Sequence, residues 1–177
     1  MQKSPYTAAA IANYFIQKNK SSPTDLTHLK IQKLLFFAQG WFMANYNMPL
    51  FNESFEAWRH GPVVRSIYHS LSGSGDSIIS NEITQPYEND SNELTFGAPQ
   101  VDPEDTTVTN FLGRFWQVYA PIHAYRLSEL THAEGTPWRN VYAKYEGCLP
   151  YGAEILDSDI SAYFSNLKEK AAADARQ

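Results

Sequence analysis

A single cysteine, Cys148, in 177 residues excludes an intramolecular disulfide and any structural zinc site built from several thiolates. There is no run of roughly 18 or more apolar residues, and the start MQKSPYTAAAIANYF has no apolar leader followed by a small-residue cleavage site, so neither a membrane helix nor secretion is expected. Basic residues are not in excess: 14 Lys and Arg stand against 19 Asp and Glu, a net charge of −5. That balance argues against bulk neutralisation of phosphates and against nucleic acid as a partner for this chain alone. Together these absences point to a cytoplasmic protein with no membrane partner. Recognisable reaction motifs are missing as well. There is no G-x-x-x-x-G-K-[ST] or G-x-G-x-x-G to cradle a phosphate and no H-E-x-x-H, and His132-Ala133-Glu134 lacks the P-C-x-x-C that a zinc deaminase needs. No cofactor is implied.

What is present is core material. Hydrophobic residues make up 43% and aromatic residues 14%, and a chain of this length buries about 70% of its extended surface on folding. One domain is expected over residues 1–170, with a flexible tail over 171–177. Ser4-Pro5 reads as a helix start, followed by Ala8, Ile11, Ala12, Phe15 and Ile16 at helical spacing. Ser22-Pro23-Thr24-Asp25 repeats the device, with Ser22 as cap, ahead of a long helix from Leu26 to Tyr46 that is apolar on most sides.

Phe55–Trp58 alternates as a short extended segment, and Gly61-Pro62 reads as the start of a helix carrying Val64, Ile67, Tyr68 and Leu71. Asp76 to Asp102 is a polar, acidic stretch read as a long loop holding a small hairpin. Helices follow after Asp102-Pro103-Glu104-Asp105, from Pro121 to His132, after Thr136-Pro137, and around Ile160, Tyr163, Phe164 and Leu167. The fold class is therefore mainly α: a compact bundle of short helices around a central long helix, with a minor β-hairpin or extended segment.

Several features carry chemistry. Lys30 and Lys33 sit one turn apart on an otherwise apolar helix, where they either snorkel or pair with buried carboxylates. Trp58-Arg59-His60-Gly61 crowds an indole, a guanidinium and an imidazole into one corner, which is either packing or an interface anchor. Basic residues concentrate in the first part of the chain and acidic ones in the middle. His60, His132 and Glu134 are the one set that offers a metal site, and a metal-dependent hydrolase using them is the rival reading. Cys148 beside Leu149-Pro150 reads as a small buried hydrophobe.

Three segments together resemble the Panacea domain, the SocA-like antitoxin family often labelled phage-associated protein: His28-Leu29-Lys30-Ile31-Gln32-Lys33-Leu34-Leu35-Phe36-Phe37-Ala38-Gln39-Gly40-Trp41, Glu56-Ala57-Trp58-Arg59-His60-Gly61-Pro62-Val63-Val64, and Leu130-Thr131-His132-Ala133-Glu134-Gly135-Thr136-Pro137-Trp138. The resemblance implies a helical domain without catalytic activity that neutralises a cognate toxin by direct binding in a bacterial or prophage toxin–antitoxin system. One branch resembles a proteolytic adaptor that delivers its toxin to a AAA+ protease. The residues matching the family pattern are Lys30, Gln32, Lys33, Trp58, His60, Gly61, Pro62, Thr131, His132, Glu134, Pro137 and Trp138. Partner contacts are expected from Trp58, Arg59 and Trp138 as anchors, and from Glu88, Asp90 and Glu93 in the acidic stretch.

Overall fold

The computed structural model describes residues 5–88 and 92–176. Its helices are α1 (Ala8–Ser21), α2 (His28–Tyr46), α3 (Arg65–Leu71), α4 (Thr106–Tyr119), α5 (Ala124–His132), α6 (Pro137–Lys144) and α7 (Asp157–Asp174). Strands β1 (Phe55–Trp58), β2 (Gly61–Val63) and β5 (Glu154–Ile155) form an antiparallel sheet in the order β2-β1-β5, and β3 (Gln85–Glu88) pairs with β4 (Leu94–Gly97) as a separate hairpin. The fold is mainly α with a minor β component, as the sequence pattern requires.

The centre is α2. Every residue from Lys30 to Gly40 is buried, because α1, α4, α5, α7 and the β1–β2 hairpin cover it from different sides. The core is one continuous cluster in which Phe15, Phe36, Phe42, Phe51, Phe55 and Phe164 are fully buried. Each such ring contributes about 1.5–3 kcal/mol of transfer free energy, so this size of core stands without a disulfide. Thr27 caps α2, and Asn47 ends it in the left-handed conformation, at φ 56°.

Several boundaries differ from the sequence reading, each for a local reason. Helix α1 starts at Ala8 with Thr7 as its cap and the Glu53 carboxylate accepting from the Ala8 N–H; Pro5 lies ahead of it, and Ser4 is outside the described residues. Ser22 closes α1 instead of opening α2, its N–H donating to Lys18. Asn19 then holds Thr24 through its N–H at 2.7 Å, so Ser22-Pro23-Thr24-Asp25 is a pinned linker.

Gly61-Pro62 lies in strand β2, opposite Trp58 and Ala57, and α3 begins only at Arg65. The helix read from Pro121 begins at Ala124, with His123 as cap. Strand β5 is too short to leave a pattern in the sequence. Cys148 is exposed in the turns after α6, not buried. Helix α7 runs through Ala171 to Asp174, past the point where the tail was expected.

Gly40 sets how closely α7 approaches α2. A Cβ there would lie 2.2 Å from the Phe164 ring, a ring that cannot retreat because Phe36, Phe37 and Trp41 pack around it. Gly40→Ala is therefore expected to destabilise the protein by about 1–3 kcal/mol, although alanine is the better helix former by about 1 kcal/mol. A lower urea midpoint at unchanged m-value is the expected reading; an unchanged or raised midpoint would show that the α2–α7 contact has slack.

Candidate functional site

Gln32, Lys33, Trp58, His60, Gly61, Pro62, Thr131, His132 and Trp138, picked out by sequence, converge on the turn between β1 and β2. Arg59 and His60 form that turn, and Gly61 follows at φ +104°. Glycine is required there twice over, by the backbone angle and because a Cβ would sit 2.7 Å from both Lys33 Nζ and Thr131 Oγ1.

Core side chains grip the turn through its carbonyls. Trp138 Nε1 donates to Trp58 O at 2.8 Å, Ser128 Oγ to His60 O at 3.0 Å, and Lys33 Nζ to Pro62 O at 2.9 Å. His132 Nδ1 donates to Ser128 O at 2.6 Å, which leaves Nε2 facing Arg59 O at 3.3 Å. Gln32 completes the set by holding Val64 at both backbone groups, accepting from its N–H at 2.8 Å and donating to its carbonyl at 3.3 Å. Helices α2, α5 and α6 thus meet at one short piece of irregular chain.

The second half of the motif builds the support. Thr136 caps α6 with Pro137 in its first turn, and its hydroxyl donates to Thr131 O at 2.7 Å. Thr131 Oγ1 donates to Ser128 O, also at 2.7 Å. Glu134 pairs with Arg139 at 2.9 Å on the surface. His60 stands exposed, His132 is engaged with backbone carbonyls and Glu134 with a guanidinium. Among the described residues, no group of three or more His, Cys, Asp or Glu side chains is placed to hold a metal ion.

The two lysines of α2 resolve differently. Lys30 pairs with Asp25 and donates to Ala120 O at 2.7 Å. Partial burial pushes the Asp25 carboxyl up, but the hydrogen bond and charge of Lys30, with His123 beyond, hold it below its ordinary value. Lys33 is fully buried and neither snorkels nor meets a carboxylate among the described residues; desolvation brings its amine down to about 7.

Beside the turn lies an open groove of about 540 Å³ lined by Trp58, Arg59, Arg65, Tyr142, Leu149 and Tyr151 among others. Arg65 holds Glu56 with two of its nitrogens, Nε at 2.7 Å from Oε1, and donates with the third to the Tyr151 hydroxyl. The Arg65 hydrogen bonds keep the Glu56 carboxyl below its ordinary value, with Trp58 Nε1 adding a further bond. The guanidinium also lies over the Tyr151 ring, 4.1 Å from its centroid. Trp58 is half-buried and reaches the surface, whereas Trp138 is buried beneath it and acts through the backbone it holds. Glu93 and Leu94 belong to the far hairpin, Glu88 lies in β3, and Asp90 is outside the described residues. Ser128 and Arg65 were missed by sequence; Ser128, a hydroxyl facing the core from an amphipathic helix, was the available signal.

Comparison with known proteins gives the same frame. Residues 31–139 match the family described as Antitoxin SocA-like, Panacea domain. The chain is 31% identical over 160 residues to Antitoxin SocA of Caulobacter vibrioides (strain NA1000 / CB15N), covering 89% of this chain and 81% of that protein. No solved structure matches it significantly. The chain belongs to the SocA-like antitoxin family, and the matched region holds most of α2, the pinned turn and the start of α6.

Lys33 makes stability depend on pH in a defined direction. Its folded value of about 7 lies below the ordinary 10.5, so between these pH values the unfolded chain binds the extra proton and stability rises with pH, by at most about 1.4 kcal/mol per pH unit. The Lys33→Met variant has no such group. The difference in unfolding free energy between wild type and variant is expected to shift toward the wild type from pH 7 to pH 9.5, measured by urea denaturation; parallel curves would mean that the amine keeps its proton in the fold.

Proposed function

We propose that this member of the SocA-like antitoxin family neutralises a partner toxin by direct protein–protein binding in the cytoplasm, without catalysis. The observation that carries the reading is the β3–β4 hairpin. It leaves Leu94 72%, Phe96 69% and Tyr87 53% exposed. Leu94 and Phe96 share one face of β4, with Pro86 opposite Phe96 in the register. An isolated two-stranded hairpin is marginal on its own, and contiguous apolar surface left in water marks a contact face.

In the sequence, Glu88, Asp90 and Glu93 fall within six consecutive residues. Such a cluster steers a basic surface toward it and speeds encounter, while desolvation of Leu94 and Phe96 supplies the affinity. A toxin whose working surface carries positive charge is the fitting partner. Trp58 and Arg59, positioned by Trp138, form a second surface of opposite character.

The test is co-expression with the product of the adjacent open reading frame, scored by rescue of growth and by co-purification. Rescue with a stable complex is expected. Phe96→Asp, and separately the combined charge reversal at Glu88, Asp90 and Glu93, are expected to weaken the complex about tenfold or more with an unchanged circular dichroism spectrum. Unchanged affinity in both variants would take the contact off the hairpin, and absence of a complex would overturn the reading. Faster degradation of the toxin in the presence of this chain, instead of protection, would replace sequestration with delivery to a AAA+ protease.

A further inference from the structure

The Arg59-His60 turn is held from inside at the carbonyls of Trp58, His60 and Pro62. With those oxygens drawn into the core, the Arg59 and His60 side chains stand in solvent. No part of the hairpin surface needs this apparatus, and a surface turn needs far less to stay folded. What it secures is the position of the groove's lip.

The groove itself combines three things. Its walls are aromatic and apolar: Trp58, Tyr142, Leu149, Pro150 and Tyr151. Two of those walls are held in place: Trp58 packs against Tyr68 with ring centroids 4.6 Å apart and is hydrogen-bonded to Glu56 at 2.9 Å, and Tyr142 stacks on Trp138 with centroids 4.9 Å apart. Its two cations are unequal: Arg65 is taken by Glu56, whereas Arg59 has no ion pair among the described residues. One uncompensated guanidinium therefore stands at the lip of an apolar trough.

We propose that this groove binds an extended, acidic peptide segment of a partner protein, a carboxylate meeting Arg59 and an adjoining apolar side chain lying against Trp58, Tyr142 and Leu149. Guanidinium is suited to a carboxylate because its planar donors match two oxygens at once. Trp, Tyr and Arg are the residues that dominate binding energy at interfaces. A preorganised site spends little affinity on ordering itself. A nucleic-acid strand is the poorer fit: it requires a track of free cations along its phosphates, and here the neighbouring guanidinium of Arg65 is already neutralised by Glu56. The assignment stands whether or not the partner is a toxin, because it rests on a different surface from the hairpin.

The experiment is selection of a phage-displayed library of random peptides on the purified full chain, followed by affinity measurement of the selected peptides and of a single-stranded oligothymidine. Arg59 and Tyr151 are both exposed, Tyr151 at 90%, so Arg59→Glu and Tyr151→Ala leave the core intact. Enrichment of Asp or Glu next to aromatic or large aliphatic residues is expected, with affinity reduced about tenfold or more by Arg59→Glu and several-fold by Tyr151→Ala. Arg114→Glu, an exposed charge on α4 away from the groove, is expected to change nothing. No enrichment, or selected peptides that bind Arg59→Glu as well as wild type, would overturn the proposal. So would tighter, Arg59-dependent binding of the oligothymidine, which would make the groove a nucleic-acid site.

Discussion

The structure depends on one constraint: α2 is buried on all sides from Lys30 to Gly40, yet it carries Lys30, Gln32, Lys33 and Gln39 within that burial. A helix uses its own backbone groups internally, so the side-chain donors and acceptors must be satisfied by whatever packs against them. In this fold the partners are mostly backbone groups of irregular segments. Gln32 takes Val64; Gln39 accepts from the N–H groups of Leu50 and Phe51 and donates to Phe51 O at 3.0 Å. Lys33 takes Pro62 O and Lys30 takes Ala120 O. Asn13 of α1 does the same for Ile83. Each bond is worth about 1 kcal/mol net, but leaving either member unpaired in the core costs about 1–3 kcal/mol. The loops are consequently specified from within, and no described buried side-chain polar atom lacks a partner.

This explains which parts of the molecule could be read along the chain. Asp105 ahead of α4 and Thr136-Pro137 ahead of α6 are caps that act within one turn, and periodicity beyond them is strong, so those helices were legible. Ser22-Pro23 and Gly61-Pro62 use similar local chemistry, but their conformations are decided by residues elsewhere. Asn19 holds Thr24 after the first, and Lys33 with Gln32 captures the backbone after the second. A proline that follows a small residue limits φ without choosing between helix and strand. The choice falls to the partner that satisfies the next carbonyl.

The site shows the same division more sharply. The odd residues were visible in sequence: two lysines on an apolar helix, an indole, a guanidinium and an imidazole before a glycine, and a threonine–histidine pair before Trp138. Their common object was not visible, because a hydrogen bond such as Trp138 to Trp58 joins positions 80 residues apart. Lys33 illustrates the limit. Pattern alone offered snorkelling or a buried carboxylate, and the fold supplies a carbonyl, a solution available only because Gly61 lets the strand pass close enough.

A scaffold of this kind separates what is fixed from what is free to differ. The turn is locked by side chains on three helices, so a change there propagates into α2, α5 and α6 together. The hairpin between α3 and α4 makes no comparable demand on the core, since its apolar residues point outward, and substitutions on it alter the surface without disturbing packing. The two surfaces also differ in chemistry, one acidic and apolar, the other aromatic with a free guanidinium. A single partner that engages both must carry opposite charges at two separated places, a requirement that rejects most proteins of either charge alone. For such a partner, selectivity would come from the spacing of the two surfaces more than from the strength of either, and α2, through Lys33, Gln32 and their grip on the turn, is the element that fixes one end of it.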